Sequence, residues 1–172
     1  WWIEKHSDDL VKNASIPYEG HYWGIPYALT YEMWWYREDL FSEAGIPRPE
    51  TWEDFLNAAK HFNDPENNFY GIAIPAGTCE WTAWHYEVLL WQNGGFVFDT
   101  DLKPMVNSEK SREALAFLKK LYQYTPPDAP TWEWYDSILA FSTEQVAMAM
   151  YGGRLKNHVE RDNPDLLEHT RV

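Results

Sequence analysis

Between Tyr27 and Asp39 the chain passes through Ala28-Leu29-Thr30-Tyr31-Glu32-Met33-Trp34-Trp35-Tyr36 without a turn residue. Pro26 disfavours helix for Ile25, and the aromatic content that follows suits a pleated, half-buried surface. Tyr27 to Tyr36 is therefore expected as one long strand or two end to end, long enough to cross from one lobe to another. Arg37 to Ala44 reads as a short helix stopped by Gly45 and Pro47. Thr51 opens the next helix with Asp54 as a short capping box, and Trp52, Phe55, Leu56 and Ala59 follow at helical spacing to about Phe62. Tyr70 to Ile74 is a short buried strand closed by Pro75. From Glu80, Trp81, Trp84, Val88 and Trp91 recur at three, four and three, a helical stripe that Gly94-Gly95 ends. Val88 and Trp91 are expected in the core, which leaves Trp81 and Trp84, at the loop-proximal end, exposed. Phe96 to Asp99 reads as a short edge strand. Ser108 caps a helix from Glu109 to Tyr122 whose apolar face is Ala114, Leu115, Leu118, Leu121 and Tyr122. Val146 to Met150 is a buried strand, and helix resumes from Arg154 to Glu160. At the other end, residues 1–13 suggest an amphipathic helix with Ile3, Leu10 and Val11 inward, and Ser15 to Gly20 a connecting loop. Strands separated by helices argue for an α/β sheet.

Charge and composition narrow the class. A formal charge of −13 repels nucleic acid and anionic lipid, and no Lys/Arg cluster reverses that sign locally, so nucleic-acid binding is not expected. No apolar run approaches the roughly 18 residues that span a bilayer. The lone Cys79 excludes an internal disulfide. Aromatic residues are the outlier, at 17% with 11 Trp. Aromatic faces stack on the apolar C–H faces of sugar rings as readily as they fill cores, so a minority of these Trp can line a cleft.

The ends of the buried strands are where ligands of α/β sheets gather. Pro75-Ala76-Gly77-Thr78-Cys79-Glu80 and Tyr151-Gly152-Gly153-Arg154 both occupy such positions. Glycines between strand and helix let a ligand approach backbone N–H groups. The second loop lacks the Lys-Ser/Thr of a phosphate loop. Trp132, Trp134 and Tyr135 bunch after the stiff loop Thr125 to Pro130, as a sugar platform or as a cap on the core. Asp99 and Asp101 do not make a calcium loop, since the sixth and twelfth positions lack Gly and Glu. The six His are scattered, with no HExxH and no zinc or nucleophile spacing, so neither metal nor cofactor is expected.

Taken in order, IPYALTYEMWWYREDLF, EAGIPRPETWEDFLNAAK, YGIAIP, a Trp-rich helix ending WQNGG, and VAMAMYGG resemble the extracellular solute-binding proteins of ABC sugar importers, in their maltose-binding-like group. The resemblance covers nearly the whole chain. It implies a type II periplasmic-binding-protein-like α/β lobe, a mixed sheet flanked by helices. Residues 1–30 would be a remnant of the first lobe and the hinge entry, and 31–172 the second lobe, incomplete at its end. Ala28 to Glu32 becomes a hinge candidate. The implied protein is extracytoplasmic, with a signal peptide or lipid anchor upstream of Trp1, and monomeric when complete. It would deliver a sugar or oligosaccharide to a membrane permease without catalysis. The alternatives are a glycoside hydrolase, whose two carboxylates about 5 to 9 Å apart could be found by chance among 27 acidic residues, and a non-transport carbohydrate-binding module. The expected ligand contacts are Trp81, Trp84 and Trp134 for stacking, Tyr151, Gly153 and Arg154 on the second loop, and Thr30, Tyr31 and Glu32 at the cleft floor. Arg154 stands where the family often has an aromatic. It could bind hydroxyls or an acidic sugar, or pair with the surplus carboxylates.

Overall fold

The computed structural model describes Lys5, residues 8–26 and residues 31–172, the Leu10 side chain excepted. It divides the chain into two compact units, residues 1–31 and 32–172. Residues 27–30, the start of the expected strand and most of the hinge candidate, lie outside the described residues, as do Ile3 and the side chain of Leu10; the part of the expected strand from Glu32 onward is present.

In the first unit, helix α1 (Asp9–Ala14) begins where the Asp8 carboxylate accepts the Val11 amide at 2.9 Å, a conventional N-cap. The segment read as a loop contains a small hairpin. Strands β1 (Pro17–Tyr18) and β2 (His21–Tyr22) pair antiparallel across Glu19 and Gly20. Both central residues have positive φ, 49° and 76°, as the tightest hairpin turn requires.

The second unit is a four-stranded mixed sheet in the order β4-β5-β3-β6. Its strands are β3 (Glu32–Arg37), β4 (Tyr70–Ala73), β5 (Val146–Gly152) and β6 (Thr170–Arg171). β4 and β5 run parallel, with Ile72 opposite Met148, while β3 runs antiparallel to β5, with Trp34 opposite Met150 and Glu32 opposite Gly152. All seven residues of β5 are buried, which requires helices on both faces. Met148 and Met150 share a core with Ala58 and Ala59 of helix α3 (Trp52–Phe62), Leu89 and Leu90 of α4 (Glu80–Gln92) and Leu118 of α5 (Glu109–Leu121). Ala149 and Tyr151 share a second core with Ile138 and Phe141 of α6 (Trp134–Ser142) and with Leu155 and Val159 of α7 (Leu155–Asp162). A last short helix, α8 (Pro164–Leu167), contributes Leu166 to that second core.

Helix α2 (Glu38–Ala44) ends at Gly45, whose φ of 68° is the left-handed cap. The Thr51/Asp54 capping box at α3 is present in both directions. Other expectations fail for physical reasons. Phe96 to Asp99 makes a single bridge, Phe98 to Pro104, because residues 96–106 fold on themselves and never reach the sheet edge. Leu115 is exposed and Phe117 takes its place on the buried face of α5, where it stacks on Trp52 at 4.5 Å. Trp91 is exposed too. The buried face of α4 is His85, Leu89 and Leu90, which includes a polar residue that apolar counting skips. Trp134 and Tyr135 lie in the first turn of α6 and not on the preceding loop, while Trp132 is core. β5 continues two residues beyond Met150, and α7 begins at Leu155 and not at Arg154.

One ionic contact ties β3 to the loop before β5. Buried Arg37 holds Asp39 at 2.5 Å and Glu144 at 2.9 Å. Burial alone would raise the Asp39 carboxyl, but the Arg37 hydrogen bonds and charge outweigh it and hold the group below its ordinary range. A depressed carboxyl contributes stability above its unfolded pKa, and that contribution disappears as pH falls through the folded value. Asp39→Asn is expected to cost about 2 kcal/mol at neutral pH, the range for a hydrogen bond to a charged group. The deficit should vanish on acidification through the carboxylate range, as read by urea unfolding at a series of pH values.

Candidate functional site

Because β4 and β5 are parallel and β3 is antiparallel to them, the C-terminal ends of β4 and β5 and the N-terminal end of β3 share one edge of the sheet. The loop after β4 leads into α4 and the loop after β5 into α7, so both helices start at that edge. Trp81 and Trp84 are in the first turns of α4, and Tyr151, Gly153 and Arg154 are at the end of β5 and just past it. Glu32 is the first residue of β3.

The 75–79 loop is held from several sides. Ala76 N–H donates to Ala129, Tyr122 O–H to Pro75 at 3.0 Å and Thr82 O–H to Gly77 at 2.7 Å. A Cβ on Gly77 would sit 2.4 Å from the Trp132 carbonyl oxygen, so only glycine lets these two loops lie together. This contact fixes the start of α4 beside the segment that enters α6, and it brings Trp134 near Trp81.

Four aromatic side chains form one surface. The Trp81 ring stacks on Tyr151 at 5.8 Å and 15°, meets Trp84 edge-on at 4.6 Å and lies 6.4 Å from Trp134. Trp84 is 42% exposed, whereas Tyr151 is buried beneath the others and its ring is the floor. The Arg154 guanidinium carbon is 5.8 Å from the Trp134 centroid, a cation–π contact that spreads the arginine beside the aromatic surface. Trp134 also meets His158 of α7 at 6.3 Å. Trp35 donates its indole N–H to the Tyr151 carbonyl at 2.9 Å and so anchors this strand end.

Polar atoms converge at the same place. The Glu32 side chain is 12% exposed, and its Oε2 is buried without a hydrogen bond among the described residues; the Tyr151 hydroxyl is in the same condition. Burial pushes the Glu32 carboxyl up, with His85 and Arg154 acting against it. Burial also raises the Tyr151 hydroxyl, opposed by Arg154 and reinforced by Glu32. Two acceptors and a guanidinium beside an aromatic surface suit a neutral polyhydroxylated ligand: faces for the C–H groups, oxygens and N–H groups for the hydroxyls.

Glu32, Trp81, Trp84, Trp134, Tyr151 and Arg154 are therefore neighbours. Gly153 is exposed on the same loop, with room for a Cβ 3.8 Å from Met33. Tyr31 is exposed in the first unit, and Thr30 lies outside the described residues. Sequence reasoning missed His85. It is fully buried, with Nδ1 at 2.5 Å from the Trp81 carbonyl oxygen, Nε2 at 2.9 Å from that of Met150 and 3.8 Å from Glu32 Oε2. Its position four residues after Trp81, on the same helical face, was the available signal. Among the described residues no three His, Cys, Asp or Glu side chains group as metal ligands.

The mixed sheet flanked by helices is a lobe of the periplasmic-binding-protein type, and solved structures share the architecture. A solute-binding protein from Thermotoga lettingae, solved with α-D-tagatose, superposes with a TM-score of 0.80 at 28% identity over 90% of this chain and 41% of its own. One from Agrobacterium radiobacter, in complex with ribitol, gives 0.81 at 26% identity over 99% and 45%. The chain belongs to the bacterial extracellular solute-binding protein family, whose model matches residues 1–165. The Escherichia coli putative ABC transporter periplasmic-binding protein YcjN is 30% identical over 110 residues, 63% of this chain and 26% of that protein. The chain thus spans between about a quarter and a half of the length of these relatives.

Proposed function

We propose that this chain is the second lobe of the substrate-binding component of an ABC importer, which captures a sugar or polyol between two lobes that close by hinge rotation and presents it to the permease. The division into residues 1–30, leading in from the first lobe, and 31–172, the second lobe, belongs to this reading, as does an extracytoplasmic location. No helix among the described residues is long and apolar enough to cross a membrane. The observation that carries the proposal is the Trp81, Trp84, Trp134 and Tyr151 surface, with the buried Glu32 oxygen and Arg154 beside it. Stacking supplies affinity, and the charged groups orient hydroxyls. The exposed Tyr31, together with Thr30 and Gly153, completes the proposed contact set. The protein binds without turning its ligand over.

The test is calorimetric titration of the complete protein with D-tagatose, ribitol, D-mannitol and maltose, with product analysis after prolonged incubation. Saturable binding of at least one compound with no cleavage is the expected result. Absence of binding across a wider sugar panel, or turnover abolished by changing one carboxylate, would overturn it.

A further inference from the structure

The apolar core of the lobe contains one polar side chain in an unusual position. His85 is fully buried between α4 and β5, and both of its ring nitrogens face backbone carbonyl oxygens, Trp81 at 2.5 Å and Met150 at 2.9 Å. A carbonyl oxygen can only accept. A neutral imidazole has one N–H and one bare lone pair, so it satisfies one of these contacts and sets lone pair against lone pair in the other. With protons on both nitrogens, both contacts become hydrogen bonds. A buried cation also needs a counter-charge, and the Glu32 carboxylate stands 3.8 Å from Nε2, its Oε2 otherwise without a hydrogen bond.

We infer that His85 is a buried imidazolium, locked by the Trp81 and Met150 carbonyls, whose charge keeps Glu32 ionised and aimed at the ligand hydroxyls in the cleft. His85 is a positioning residue, since it acts through Glu32 and touches no ligand. The inference deepens the proposed sugar-binding role and rests on it for the word ligand alone. Among the described residues, the groups whose charge acts on Glu32 are His85 from α4 and Arg154 from the turn after β5, with the Tyr151 hydroxyl beside them, and Arg48 and Glu50 line a pocket with Glu32. Arg154 also favours the carboxylate, but it is on the surface, where water screens it; His85 is not screened. The lone carboxylate would otherwise take up a proton readily, because burial opposes its charge, and a protonated Glu32 has lost half of its acceptor capacity.

Acidification protonates Glu32 and weakens binding. Removing His85 removes a cation that favours the carboxylate, so the same weakening should set in at higher pH. The first experiment needs no ligand: long-range ¹H–¹⁵N correlation spectra of the complete protein at neutral pH, with the His85 ring assigned by comparison with His85→Gln. Both ring nitrogens at imidazolium shifts are expected, and one nitrogen at the shift of a bare lone pair overturns the inference. The second is titration with the best binder of the panel above at a series of pH values. His85→Gln should lower affinity about tenfold at pH 7, the scale of a charge-assisted contact, and move the acid limb to higher pH. Glu32→Gln should flatten that limb, and adding His85→Gln to it should cost little more. An acid limb unmoved by His85→Gln, or full additivity of the two changes, would overturn it. If His85→Gln fails to fold, the ring assignment is made instead by selective labelling of the parent, and the nitrogen shifts decide. If no compound binds, the sugar-binding reading falls while the ring spectrum still decides the state of His85.

Discussion

Trp84→Ala and Trp134→Ala should each weaken binding of the best sugar or polyol roughly five- to 150-fold while leaving the fold intact. The estimate takes about 1 to 3 kcal/mol for the loss of one stacking aromatic, with a base on an aromatic side chain as the analogue. Both side chains are accessible, Trp84 exposed and Trp134 half-buried, and both pack against Trp81, which rests on Tyr151. Removing Trp84 takes area from the surface alone, whereas Trp134 also packs against the second core, so the melting temperature of Trp134→Ala is read beside its affinity. Trp52→Ala is the comparison, because Trp52 stacks on Phe117 and donates to Gln92 on another part of the lobe. It should lower the melting temperature and leave affinity within about twofold, a difference of roughly 0.4 kcal/mol. Calorimetry on the complete protein with all three variants checks this. Parent-like binding by both folded Trp84→Ala and Trp134→Ala would show that the ligand lies elsewhere.

The largest stability effect is expected at a residue with no side chain. Gly71, in the middle of β4, faces α3 so closely that an added Cβ would sit 2.0 Å from the Ala59 carbonyl oxygen. The obstacle is backbone, so no rotamer change relieves it, and helix and strand must separate. Ala59, Ile72 and their neighbours are fully buried, so separation opens the core that supports the site. Gly71→Ala should therefore cost about 3 kcal/mol, the upper end of the usual overpacking range. For a domain of this size that is a fall in melting temperature of roughly 6 to 12 °C. Thermal unfolding followed by circular dichroism measures it, and a shift below about 2 °C would mean that α3 and β4 are less tightly joined than described.

What the sequence determined by itself was local. The capping box at Thr51, the stop at Gly45, the buried run Val146 to Met150 and the helices between strands all depend on contacts within a few residues, which spacing and residue type express directly. The order of those elements was enough for the mixed α/β lobe and for its family. Tertiary structure decided whatever depends on a partner distant in sequence. Phe98 looked like an edge strand because its side chains suit one, yet a strand exists only where another offers its backbone. The stripe of α4 pointed to Trp91, but the sheet covers the face that carries His85, and that histidine is accommodated in the core because the Trp81 carbonyl of its own helix, the Met150 carbonyl of β5 and the Glu32 carboxylate of β3 meet it there. The aromatic residues of the site were individually visible as Trp and Tyr near strand ends. That they share one surface follows from the parallel pairing of β4 with β5 and the antiparallel return of β3, a register set by the packing of both faces of the sheet and invisible in any single segment.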